Sequence, residues 1–162
     1  MNPSALRFRL LTALLILTGP VLAAGTGAHL PRFAALRSSE VNLRAGPGTQ
    51  YPVEWVFLRR SLPIEITAEY GHWRKVRDMD GSEGWIHKSL LTGRRSVLVT
   101  GAVRTLHRHP DAAAAVVAKL EPGVVAKLLS CRTGWCRIEI EGHKGWLPDG
   151  AFWGAYDGET VE

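Results

Sequence analysis

The chain has 162 residues, 46% of them hydrophobic and 22% charged, which excludes a disordered polypeptide and fits one or two globular domains. Lys and Arg number 20 against 15 Asp and Glu. The excess is scattered over short clusters (Arg59-Arg60, Arg74-Lys75-Arg77, Arg94-Arg95), so the concentrated basic stripe of a nucleic-acid binder is missing. Six Trp stand out, and each needs either a core or a binding surface.

The N-terminus reads as an export signal over residues 1–24. Arg7 and Arg9 precede an apolar run from Leu10 to Leu17, Pro20 breaks any helix, and Ala23-Ala24 offers small residues for cleavage. The run is shorter than the roughly 20 residues that span a bilayer. A retained anchor is the alternative; after cleavage no stable membrane insertion is expected. Cleavage removes two Arg and leaves a net charge of +3. The expected compartment is therefore beyond the inner membrane, in the periplasm. Residues 25–37 read as an extended lead-in.

From there the chain reads as β-structure. Arg44-Ala45-Gly46-Pro47-Gly48 is a loop signal. Leu62, Ile64 and Ile66 alternate with Pro63, Glu65 and Thr67, as in a half-buried strand. Asp80-Gly81 marks a hairpin turn. Thr92-Gly93-Arg94-Arg95-Ser96 is a short linker. Ala112 to Ala115 allows one helical turn at most, Glu121-Pro122-Gly123 is another loop, and Ile138 and Ile140 alternate with Arg137 and Glu139. Residues 157–162 read as a polar tail.

An internal repeat organises these elements. His72-Trp73-Arg74-Lys75-Val76, Asp80-Gly81 and Gly84-Trp85-Ile86 return as Gly134-Trp135-Cys136-Arg137-Ile138, Glu141-Gly142 and Gly145-Trp146-Leu147. The offset is 62 residues at the first Trp and 61 at the second, so one residue is lost in the intervening turn. Leu43-Arg44-Ala45-Gly46-Pro47 corresponds loosely to Leu106-His107-Arg108-His109-Pro110. Cys131 and Cys136 are the only cysteines; in an exported chain they read as a disulfide across a hairpin, with a free thiol pair as the alternative.

Val41-Asn42-Leu43-Arg44-Ala45-Gly46-Pro47-Gly48 followed by Tyr51-Pro52-Val53 resembles the opening of bacterial SH3 (SH3b) domains. Gly71-His72-Trp73-Arg74-Lys75-Val76 and Gly84-Trp85-Ile86 are similar to later motifs of that family, and Gly145-Trp146-Leu147-Pro148 with Trp153-Gly154-Ala155-Tyr156 looks like a second copy. The resemblance implies an all-β fold of two tandem SH3-like small β-barrels after the signal peptide, at residues 38–92 and 97–156. It also points to Trp73 with Trp85, and Trp135 with Trp146, as the aromatic groove of each barrel. The acidic loop with which signalling SH3 domains grip basic ligand residues is absent; Arg44 and its Gly-Pro loop stand in that region.

Strand parity gives an independent expectation. If Val76 and Ile138 face the core, Trp73 and Trp135 face outward, flanked by cations. Such a Trp suits an extended peptide or a sugar ring, or it packs under a loop or against the other barrel. Tyr51 and Trp55 are groove walls or core, and Arg44 either meets ligand or holds its loop through backbone carbonyls.

Nothing in the pattern reads as an active site. Cys136 needs an unpaired thiol to act as a nucleophile, the pair His107 and His109 has only Asp111 nearby, and Asp78 to Glu83 reads as a hairpin turn and not a calcium loop. The expected protein is a binding module and not an enzyme, with no metal and no cofactor. Its expected partner is cell-wall peptidoglycan or its peptides, with a structural adaptor for another envelope protein as the alternative and an envelope hydrolase as a minor one.

Overall fold

A computed structural model of the protein describes residues 29–162. The expected export signal, residues 1–24, lies outside the described residues. The described chain is all-β: fourteen strands and one 3-10 turn at Lys88–Leu90. Among the described residues no helix is long and apolar enough to cross a membrane.

The strands form two seven-stranded antiparallel sheets with one topology repeated. The first contains β1 (Arg32–Leu36), β2 (Val41–Arg44), β3 (Val53–Phe57), β4 (Pro63–Tyr70), β5 (Trp73–Arg77), β6 (Glu83–His87) and β7 (Leu91–Thr92), in the order β3-β2-β6-β5-β4-β1-β7. The second contains β8 (Ser96–Val99), β9 (Arg104–His107), β10 (Val116–Leu120), β11 (Val125–Arg132), β12 (Trp135–Ile140), β13 (His143–Pro148) and β14 (Phe152–Trp153), in the matching order β10-β9-β13-β12-β11-β8-β14. Even the irregularities recur. The ladder between β4 and β5 slips between Ile66 and Ala68, and that between β11 and β12 between Leu128 and Ser130. A bulge there bends the eight-residue strand, so that one half pairs with β1 or β8 and the other with the next hairpin strand. This bend turns each sheet back on itself.

Each barrel encloses its own core. Leu36, Val41, Leu43, Ile64, Ile66, Val76 and Ile86 fill the first; Val97, Leu106, Leu128, Ile138 and Leu147 fill the second. The parity read from the sequence holds here, since Val76 and Ile138 are fully buried. The Gly-Trp pairs have a packing reason. A Cβ on Gly84 would lie 2.5 Å from the Leu43 side chain and 2.9 Å from the Arg44 carbonyl oxygen. Gly145 stands in the same relation to Leu106 and His107, so each glycine lets β2 or β9 approach its neighbour closely.

Two segments differ from the sequence reading. Residues 32–36, read as lead-in, are the strand β1, paired with both β4 and β7. The segment read as a polar tail is folded: Val161 exchanges backbone hydrogen bonds with Cys131, and Glu159 pairs with Arg95 at 2.8 Å. The cysteines are bonded across a hairpin as expected, and the turn between their strands has two residues. Thr133 and Gly134 both have positive φ, and Arg132 opposes Trp135, leaving Cys131 opposite Cys136. Because the bridge closes only a short hairpin, its loss is expected to cost at most about 2 kcal/mol. The double variant Cys131→Ala/Cys136→Ala should therefore still fold, with a lower denaturation midpoint.

The barrels are packed on one another. Phe33 meets Trp153 edge to face with ring centroids 4.9 Å apart, and Tyr156 at 4.8 Å. The Tyr156 hydroxyl donates to Glu65 of β4 at 2.8 Å, the Ser96 hydroxyl donates to the Ser61 carbonyl at 2.7 Å, and Arg59 donates to the Gly123 carbonyl at 2.6 Å. Burial first, and then the hydrogen bond to Glu65, push the Tyr156 phenol well above the ordinary tyrosine value. The folded state thus favours the neutral hydroxyl. Its contribution is whole below about pH 10, the unfolded tyrosine value, and is lost as pH rises beyond it. Ultraviolet titration of tyrosinate should show a late phase, absent in Tyr156→Phe, accompanied by alkaline loosening of the barrels.

Candidate functional site

The outward face of the first barrel gathers aromatic and cationic side chains from neighbouring strands. Trp85 of β6 pairs across the ladder with Lys75 of β5 on one side and Arg44 of β2 on the other. The next row holds His87 opposite Trp73, and Trp73 opposite Tyr70. Trp73 and His87 meet edge to face, with ring centroids 5.4 Å apart. Both indoles are half-buried, and Tyr70 is 67% exposed. The face is therefore a flat apolar stripe bordered by cations and hydrogen-bonding groups.

Its electrostatics are uneven. Lys75 is tied to Glu83 at 2.6 Å, and that contact holds the Glu83 carboxyl below the usual carboxylate range. Arg44 makes no carboxylate contact among the described residues. Its guanidinium donates to the carbonyls of Thr49 and Tyr51, at 3.2 and 2.8 Å. It thus holds the Gly-Pro loop through backbone oxygens while leaving a positive charge beside Trp85. The same loop carries Tyr51, whose ring lies over Gly46; a Cβ there would come within 2.6 Å of it.

Trp55 does not join this face. It lies on the edge strand β3 opposite the core residue Leu43, yet is 60% exposed. Val53, Val56 and Leu58 surround it as a separate apolar patch.

The second barrel arranges the equivalent residues differently. Trp146 pairs with Arg137 and His107, but only 7% of it is exposed, and the Arg132 guanidinium stacks on its ring 4.9 Å from the centroid. Arg132 stands where the first barrel has Tyr70: each precedes its hairpin turn and opposes the first Trp of its repeat. The charge that leans over Trp146 thus has no counterpart above Trp85 at that position. Trp135 remains half-buried, edge to face with His107 at 5.8 Å, while His107 Nδ1 lies 3.1 Å from the Ala114 carbonyl oxygen.

Among the expected site residues, the fold brings together Trp73, Trp85 and Arg44, with Tyr51 joined through Arg44. It sets Trp55 apart and covers Trp146. Tyr70 and His87 are the members that sequence reading missed. Both carried a usable signal, since Tyr70 faces Trp73 across a two-residue turn and His87 shares strand parity with Trp85.

Comparison with known proteins gives a consistent picture. The bacterial SH3 domain family matches in two segments, residues 37–93 and 102–154. YrvJ of Bacillus subtilis (strain 168), which carries the name of an N-acetylmuramoyl-L-alanine amidase, is 28% identical over 126 residues, spanning 67% of this chain and 24% of that protein. The chain thus spans about a quarter of the length of that relative. Among solved structures, NlpC2 from Trichomonas vaginalis is similar at 14% identity and a TM-score of 0.36, covering 78% of this chain and 49% of that one. An NlpC/P60 family protein from Bacillus cereus ATCC 10987 is similar at 18% identity and a TM-score of 0.35, covering 78% of this chain and 57% of that one. Likenesses this low support no inference about function. With both segments matched and both barrels folded alike, the chain belongs to the bacterial SH3 domain family, which it carries in two tandem copies.

Proposed function

We propose that the protein is an exported cell-envelope module that binds peptidoglycan or its stem peptides through the outward face of its first barrel. One observation carries this reading. The first barrel leaves a half-exposed aromatic row of Trp73, Trp85, Tyr70 and His87 beside Arg44, whereas the second barrel covers its equivalent Trp146. Flat indole area next to hydrogen-bonding groups suits sugar rings and extended peptides, and a cation beside it suits their carboxylates. Family membership and a relative named for cell-wall amide hydrolysis support the same direction. The apolar run after Arg7 and Arg9 supports export to the periplasm.

Cosedimentation with purified sacculi tests this. Saturable retention that survives moderate salt and falls at least tenfold in Trp73→Ala, with the variant's melting temperature near the wild type, is the expected result. Retention that salt abolishes would sink the reading.

A second reading, an adaptor for another envelope protein, is favoured by the outer edge of β3, which pairs only with β2 and carries the exposed Val53, Trp55 and Val56, with Leu58 just beyond it. It expects crosslinked capture of one envelope protein, lost in Trp55→Lys. A hydrolase reading, suggested only by the relative's name, expects turnover of envelope material by the purified protein.

A further inference from the structure

Between the barrels, away from the aromatic face, lies an open cleft of about 1020 Å³. Its walls come from the ends of β1, β7 and β11, the linker, and the loop after β3. Arg37, Arg60, Arg94, Arg95 and Lys127 line it, and no Asp or Glu does. Arg95 is the exception among these cations, since its fork is taken by Glu159 at 2.8 and 2.9 Å. Arg37 donates only to the Leu91 carbonyl, at 3.2 and 3.1 Å, so its charge is not neutralised by an acid. Arg60, Arg94 and Lys127 are exposed and form no ion pair among the described residues.

Four cations without an ion-pair contact, from both barrels and their linker, thus line one concavity; Lys127 stands across the ladder from Glu139, whose carboxylate reaches Lys144 at 3.9 Å. Like charges held together oppose folding, and their field is focused by the low-dielectric walls of a cleft. Elsewhere Arg32, Arg74, Lys75, Arg77 and Lys144 each have a carboxylate partner, and the cations without one, such as Arg44, Arg108 and Arg137, do not line this cleft. The arrangement is also not a consequence of the repeat. Arg60 and Lys127 occupy non-equivalent positions, one in the loop between β3 and β4 and the other within β11, and they share a wall only because the barrels pack as they do.

We propose that this inter-barrel cleft is a binding site for a multivalent anion bearing phosphate or carboxylate groups. Arg37 and Arg60 contact it from the first barrel, Arg94 from the linker and Lys127 from the second. Arginine forks recognise either oxyanion in two-point contacts, and the lysine adds a point charge. A ligand seated there bridges the barrels and screens their mutual repulsion. The site is independent of the aromatic face, and its failure leaves that reading untouched.

Calorimetric titration with inorganic tripolyphosphate and with citrate, at low and moderate ionic strength, tests the site and separates phosphate from carboxylate chemistry. Saturable binding of one or both is expected, weakened at least tenfold in Arg60→Gln/Lys127→Gln and unchanged in Trp85→Ala. The ligand-free double variant should melt no lower than the wild type, since the substitutions relieve repulsion. Binding of neither anion, or equal binding by the double variant, overturns the proposal.

Discussion

Glu65→Ala is expected to lower the stability of the protein by about 3 kcal/mol, although Glu65 lies on the outward side of the first barrel's own core. The carboxylate is only 2% exposed, because the second barrel's C-terminal segment covers it. One oxygen accepts from Arg77 Nε at 2.8 Å and from its Nη2, and the other from the Tyr156 hydroxyl at 2.8 Å. Removing the acid strands both donors. Arg77 is 45% exposed and turns to water, so its part of the loss is small. The void left at the buried Glu65 site accounts for most of the cost; Tyr156, 37% exposed, loses its acceptor at a smaller one. Glu65→Gln keeps an acceptor and the volume, and should cost about 1 kcal/mol. Chemical denaturation of both, in a cycle with Tyr156→Phe, measures the link. A loss below about 1 kcal/mol in Glu65→Ala would mean that the contact does not hold the barrels together.

Gly154→Ala is expected to cost a similar amount, about 3 kcal/mol, by a different route. Gly154 has φ of 128°, which L-residues rarely adopt, and an added Cβ would lie 2.3 Å from the Ser96 carbonyl oxygen and 3.0 Å from Val97 Cα. Pro63 of the first barrel closes the third side at 3.1 Å. Two of these neighbours are backbone, so no side chain can swing away. Gly150 provides the control: its φ is 77°, but nothing lies within 4 Å of its added Cβ. Gly150→Ala therefore isolates the backbone penalty, about 1 kcal/mol. The difference between the two melting temperatures reports the steric part, on the order of 5–10 °C.

Both predictions fall on the junction between the barrels, and the junction is where sequence reading was weakest. The repeat, the strand parity and the hairpin turns were legible because each depends on near neighbours. Trp73, Val76 and Gly84 declare themselves by spacing. β1 did not, since Phe33, Ala34, Ala35 and Leu36 are buried in succession, without the alternation of a half-exposed strand. Glu65 alternated correctly with Ile64 and Ile66, but its partner Tyr156 is 91 residues away and no local pattern announces it. The same holds for Val161 against Cys131 and Glu159 against Arg95, which turn an apparent tail into a clasp. The aromatic face was legible as far as its Trp residues. Which copy stays open was not, because the spacing of the Trp residues does not show that Arg132 reaches over Trp146 where the first repeat has Tyr70.

That asymmetry is the most direct point at which to test the account. The measurement is the affinity of Trp85→Ala and Trp135→Ala for purified sacculi, beside the wild type, at moderate salt and with melting temperatures checked. The open face of the first barrel requires Trp85→Ala to weaken binding at least tenfold and Trp135→Ala to change it less than threefold. Equal losses in the two variants, or a loss confined to Trp135→Ala, would contradict it.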